Sequence, residues 1–145
     1  MKTRQLAPRL AALGAILTLF MTTPALKAEP RCSQATLNGT YVTYGAGTVG
    51  GTSYATVGKV VYDGRGNGQA TFSQSVAGAI TQKATAPGTY TVNSDCTGSK
   101  NFGGPAGINY DFVVTADGRE IFWIVTNAGT VLSGRALRLD DSRTQ

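Results

Sequence analysis

After residue 36, no window of eleven residues carries its apolar side chains at helical spacing. Short runs rich in Thr, Val, Tyr, Ile and Phe stand there instead, parted by turns that draw on the chain's 19 glycines. A chain of this kind buries apolar surface in one way, by turning one face of each strand inward. The runs place strands at 40–45, 52–62, 69–77, 79–86, 88–93, 108–115, 120–127 and 130–139, with one helical turn at 33–37. Eight strands spaced at about 8–12 residues predict an all-β fold, a small antiparallel up-and-down barrel, with a sandwich as the competing layout.

Turn chemistry fixes how the last strands pair. Asp117-Gly118 is a two-residue hairpin signal, since Gly accepts positive φ and Asp tolerates it. Pairing outward from that turn sets Thr115 against Glu120, Val114 against Ile121 and Phe112 against Trp123. One face then collects Ile108, Tyr110, Phe112, Val114, Ile121, Trp123 and Val125. A second two-residue turn at Ala128-Gly129 adds Leu132, Gly134 and Ala136, with Gly134 leaving room opposite the Trp123 indole. A slip of one residue would scatter this set over both faces. Ala70, Phe72 and Val76, and Tyr90 with Val92, alternate in the same way. The opposite face of the last strands is less polar than a solvated wall requires, holding Phe122, Ile124, Val131, Leu137 and Leu139. A partner subunit or the N-terminal segment would cover it.

Residues 1–28 have the layout of an export signal. Lys2, Arg4 and Arg9 precede an apolar stretch from Leu10 to Met21, and small residues follow near Ala25 and Ala28. The stretch is shorter than the ~20 residues a membrane span needs. Residues 29–145 are then a single periplasmic or secreted domain with no membrane association. The 145-residue chain has 13 basic and 8 acidic residues. Removing 1–28 takes away four bases and no acid, which leaves nine against eight and a net charge of +1. The remaining bases are scattered, so nucleic acid is not an expected partner. Export favours joining Cys32 to Cys96, the only two cysteines. In the chain-entropy model a loop of about 65 residues makes that bridge worth ~4 kcal/mol.

Composition also removes whole classes of chemistry. With no histidine there is no Ser-His-Asp or Cys-His set and no histidine metal site. Two cysteines cannot supply the four thiolates of an iron–sulfur or all-cysteine zinc centre. No cofactor and no metal is expected. Asp63 with Asn67 offers two calcium-type oxygens, but Arg65 lies between them, and a hairpin loop is the simpler account. Asp111 and Glu120 are the nearest approach to a carboxylate pair, but the register offsets them along adjacent strands as surface charges. The feature with functional promise is aromatic. Tyr62, Phe72, Tyr90, Tyr110, Phe112 and Trp123 point inward in a barrel, joined by Tyr54. Rings of this kind either fill the interior or wall a pocket for one small ligand.

Several stretches carry a resemblance: Leu37-Asn38-Gly39-Thr40-Tyr41, Val60-Val61-Tyr62-Asp63-Gly64-Arg65-Gly66, Gly88-Thr89-Tyr90-Thr91-Val92-Asn93-Ser94-Asp95-Cys96-Thr97-Gly98, and Val131-Leu132-Ser133-Gly134. Together they resemble a loose group of small exported bacterial β-proteins of unassigned function. More distantly the layout is similar to lipocalin, avidin and allene-oxide-cyclase-type barrels, with Gly39-Thr40-Tyr41 where lipocalins open on Gly-x-Trp. Those hosts range from ligand carriers to cofactor-free cyclases, so the resemblance implies a fold and leaves function to the site. Three functions are therefore expected to compete. The first is a barrel holding a small apolar or aromatic ligand in its interior, with no catalysis. The second is a cofactor-free isomerase or cyclase working through Tyr110 or Asp111. The third is a protein-binding module or inhibitor using the outer face near Phe122, Ile124 and Leu137, a face that a homodimer would also explain.

Overall fold

The computed structural model describes residues 31–139. The export signal expected at 1–28 lies outside them. A 3-10 turn, Gln34–Thr36, leads into eight strands: β1 (Asn38–Val49), β2 (Thr52–Asp63), β3 (Asn67–Val76), β4 (Ala79–Val92), β5 (Thr97–Phe102), β6 (Ile108–Val114), β7 (Glu120–Val125) and β8 (Thr130–Arg138). A second 3-10 turn, Gly104–Ala106, joins β5 to β6. Every strand pairs antiparallel with its sequence neighbour, and β1 pairs with β8, so the sheet closes into an up-and-down barrel.

The pairings read from the turns hold: Val114 faces Ile121, Phe112 faces Trp123, and Trp123 faces Gly134. The inward face is the expected one, with Val114, Ile121, Trp123, Val125, Leu132 and Ala136 all buried. Two strand assignments change. The segments 79–86 and 88–93 are one strand, β4, and β5 was not among the expected strands at all. Pro87 reads as a break because it has no N–H to give a ladder. Here β4 pairs with β5 only from Gly88 to Val92, so its upper part has a bare edge where that N–H is not needed. The Pro87 carbonyl accepts from the Gly103 N–H at 3.0 Å. A bulge opposite Ser73 interrupts the β3–β4 ladder on the other side of β4, with Lys83 at φ 52° and its N–H donating to Ser73 Oγ. β5 escapes notice because Thr-Gly-Ser-Lys-Asn-Phe is poor in β-formers.

One end of the barrel is stoppered. The 31–37 segment folds into it, Leu37 is fully buried, and the Cys32–Cys96 disulfide ties it to the β4–β5 connection with a Cα–Cα distance of 5.0 Å. The N-terminal segment therefore closes the barrel end and leaves the outer wall of β7 and β8 uncovered. Phe122 and Ile124 are each 51% exposed and Val131 is 73% exposed. The other end is uneven, since β1 and β2 have 12 residues and β4 has 14, against 6 for β5 and β7. Among the described residues no helix is long and apolar enough to cross a membrane.

Candidate functional site

The inward rings fall into two groups. Toward the stoppered end, Tyr41, Tyr62 and Tyr90 stack edge to face, with centroids 5.4 and 5.1 Å apart. Two of these phenols are committed at the stoppered end, one to the stopper itself and one to the β6–β7 turn beside it. Tyr90 donates to the Leu37 carbonyl at 2.8 Å and to that of Gln34 at 2.9 Å, while Tyr41 donates to the Gly118 carbonyl. This half is a filled core. Toward the open end, which no stopper fills, Tyr54, Phe72, Ile108 and Tyr110 are only half-buried, beside Phe102, Val125 and Leu132, which are buried. Tyr54 donates to Gln74 Oε1 at 2.7 Å across that rim. Burial, and secondarily the Tyr54 phenol, push Tyr110 up to about 12.

Trp123 sits between the groups. Its indole N–H donates to Thr43 Oγ1 at 3.2 Å, and its ring meets Tyr110 at 5.4 Å. Two glycines make its socket: a Cβ on Gly134 would come within 2.5 Å of the indole, and one on Gly45 within 2.2 Å. All six side chains expected to line an interior site, Tyr62, Phe72, Tyr90, Tyr110, Phe112 and Trp123, thus belong to the interior or pack against it.

The residue that sequence reasoning missed lies among them. Lys100, inward on β5, is only 7% exposed. Its Nζ stands 4.9 Å from the Tyr110 ring centre, 5.5 Å from Trp123, 5.9 Å from Phe112 and 6.0 Å from Phe102. Rings at this range attract a cation through their quadrupoles. Its one hydrogen bond is donated to the Tyr62 hydroxyl, at 3.3 Å. Burial pulls the Lys100 ammonium down to about 7, and no carboxylate among the described residues opposes that pull. Burial likewise raises Tyr62 well above the ordinary phenol range. Lys100 goes unnoticed in the sequence because a lysine beside Ser99 and Asn101 reads as a solvated wall. Only the pairing of Lys100 with both Tyr90 and Tyr110 reveals that it faces inward.

The carboxylates are elsewhere. Asp111 is exposed on the outer wall, and Glu120 pairs with Arg135 at 3.4 Å. Asp63 accepts from the Arg65 and Asn67 N–H groups and from Asn67 Nδ2, which lowers it to about 2. Its carboxylate thus closes its own turn, in a loop where calcium coordination was the rival reading. Among the described residues no three His, Cys, Asp or Glu side chains gather as a metal site. The outer wall carries a groove of about 620 Å³ bordered by Asn93, Ser99, Asp111, Phe122 and Ile124. Comparison of the chain with protein-family models, curated proteins and solved structures returns no significant match.

Proposed function

We propose that this protein binds a small apolar or aromatic ligand inside the barrel, entering at the open end, with no chemistry of its own. One observation carries the reading. Tyr54, Phe72, Ile108 and Tyr110 face inward yet stay half-buried, while the rings toward the stopper are packed out of solvent. Apolar walls with a few phenol tips suit a ligand that is greasy along its length and polar at one point. The isomerase reading loses its acid, because Asp111 faces out, and retains only Tyr110. The test is a fluorescence titration with N-phenyl-1-naphthylamine, a neutral apolar probe. A saturable one-to-one site, weakened by Phe72→Ala, supports the reading; a linear, non-saturating response overturns it.

A second reading has its own support in the exposed Phe122, Ile124 and Val131, with Val113 52% exposed beside them. On that reading the outer wall of β6 to β8 docks another protein or a second copy of the chain. Sedimentation equilibrium separates those cases, since a dimer broken by Phe122→Ser assigns the face to self-association.

A further inference from the structure

We infer that the ligand carries a carboxylate, held by the Lys100 ammonium and the Tyr62 hydroxyl at the centre of the barrel. This rests on the interior-binding reading above and names the chemical class of what is bound.

The argument is a count of hydrogen-bond donors against acceptors. A lysine ammonium has three N–H donors, and Lys100 directs one of them at Tyr62. The Tyr62 oxygen accepts it, which leaves the phenol's own O–H to give. The neighbouring phenols do not take up the surplus: Tyr41 and Tyr90 turn their own O–H groups to main-chain carbonyls of the stoppered end, and neither accepts a hydrogen bond from Lys100 or Tyr62. The strand alternation that turns Lys100 inward turns Asp111 outward, and Asp63, Asp95 and Asp117 close exposed turns. Phe102, Phe112 and Trp123 add no titratable group, so among the described residues Tyr62, Tyr90 and Tyr110 are the ionisable side chains facing the ammonium. The centre is therefore donor-rich and acceptor-poor, and it carries a positive charge whenever Lys100 is protonated.

A buried cation without a counter-ion is a standing penalty, and ring faces offset only part of it. A carboxylate supplies what is missing: one negative charge, and two oxygens that can accept from the ammonium and the phenol together. Tyr110 connects this centre to the open end, since its half-buried ring lies against Nζ. A ligand entering along Phe72 and Tyr110 with its acid group leading would bring the carboxylate to Lys100 and leave its apolar body at the rim. No covalent bond forms or breaks.

The experiment is competition against bound N-phenyl-1-naphthylamine by 4-phenylbutyrate and by 4-phenylbutanol, which share a ring and a chain and differ in the acid. In the wild-type chain the acid is expected to compete at least about tenfold more tightly, as one charge-assisted contact supplies. In Lys100→Met the two should compete alike, and Tyr62→Phe should narrow the gap. Equal competition in the wild type, or a preference for the acid that survives Lys100→Met, overturns the inference while leaving the interior site in place. Failure of the neutral probe itself to bind removes the interior site, and the inference with it. A variant-free measurement covers the case in which a substitution unfolds the chain. At pH 8, 4-phenylbutyrate should move the Lys100 ε-carbon resonance toward its protonated position, and no movement overturns the inference.

Discussion

Lys100 Nζ lies 3.3 Å from the Tyr62 hydroxyl in an interior that no described carboxylate faces, and this makes stability depend on alkaline pH. The ammonium titrates near 7 in the folded chain, against 10.5 ordinarily. Below pH 7 both folded and unfolded chains hold the proton, so the burial penalty is felt in full. Between pH 7 and about 10 the unfolded chain binds more protons than the folded one, and stability must rise. Beyond that the phenols reverse the sign: Tyr62 and Tyr110 are raised in the fold, so the unfolded chain loses its phenolic protons first. Urea unfolding across pH 6–11 should therefore show a maximum near pH 9–10. Lys100→Met should remove the rise and be more stable than wild type at pH 6, by an amount on the order of a few kcal/mol.

Gly45→Ala and Gly134→Ala each drive a methyl into the Trp123 socket. A Cβ at Gly134 also meets the Tyr44 carbonyl oxygen at 2.1 Å, and one at Gly45 meets the Ser133 carbonyl oxygen at 3.0 Å. Neither backbone can yield without shifting the β1–β8 ladder. Each substitution should cost about 1–3 kcal/mol, as overpacking does. Trp123 is the chain's only tryptophan, so its emission reports the disturbance directly.

These two glycines show how far the sequence is legible. Gly134 is found by counting onward from Asp117-Gly118 through the Ala128-Gly129 turn, because hairpins transmit register along consecutive strands. Gly45 is not, because it meets Trp123 only through closure of β1 on β8, a pairing between residues about ninety apart for which no turn speaks. Lys100 is hidden for a related reason. β5 has too few β-branched or aromatic residues to announce itself, and without its register the inward side of Ser99-Lys100-Asn101 is undetermined. Pro87 misled in the opposite direction, since it breaks a strand only where both edges are paired. What remained legible, the all-β class, the Phe112–Trp123 pairing and the Cys32–Cys96 bridge, rests on local turn chemistry and on there being only two cysteines.

Reducing the disulfide, or replacing both Cys32 and Cys96 with Ser, should lower stability by about 4 kcal/mol on the chain-entropy model for a separation of 64 residues. Thermal melts with and without reductant measure this. An unchanged midpoint would show that Leu37 and its hydrogen-bonded surroundings hold the stopper unaided.

Tyr90→Phe keeps the ring stack with Tyr62 but deletes the hydroxyl that two main-chain carbonyls share. The expected loss is about 1–3 kcal/mol, because the buried Leu37 carbonyl loses its hydroxyl donor. It should be felt locally: amide exchange at Leu37, whose N–H donates to the Gln34 carbonyl, should quicken more than exchange at Val125.

The covalent bridge, the Leu37 plug and the phenols that anchor it all gather at one pole of the molecule. Thermal breathing is thereby pushed to the far pole, where β4 stands taller than its neighbour. Guests would come and go there without the sulfur bridge ever opening, and proteases should nick first near residues 77–85.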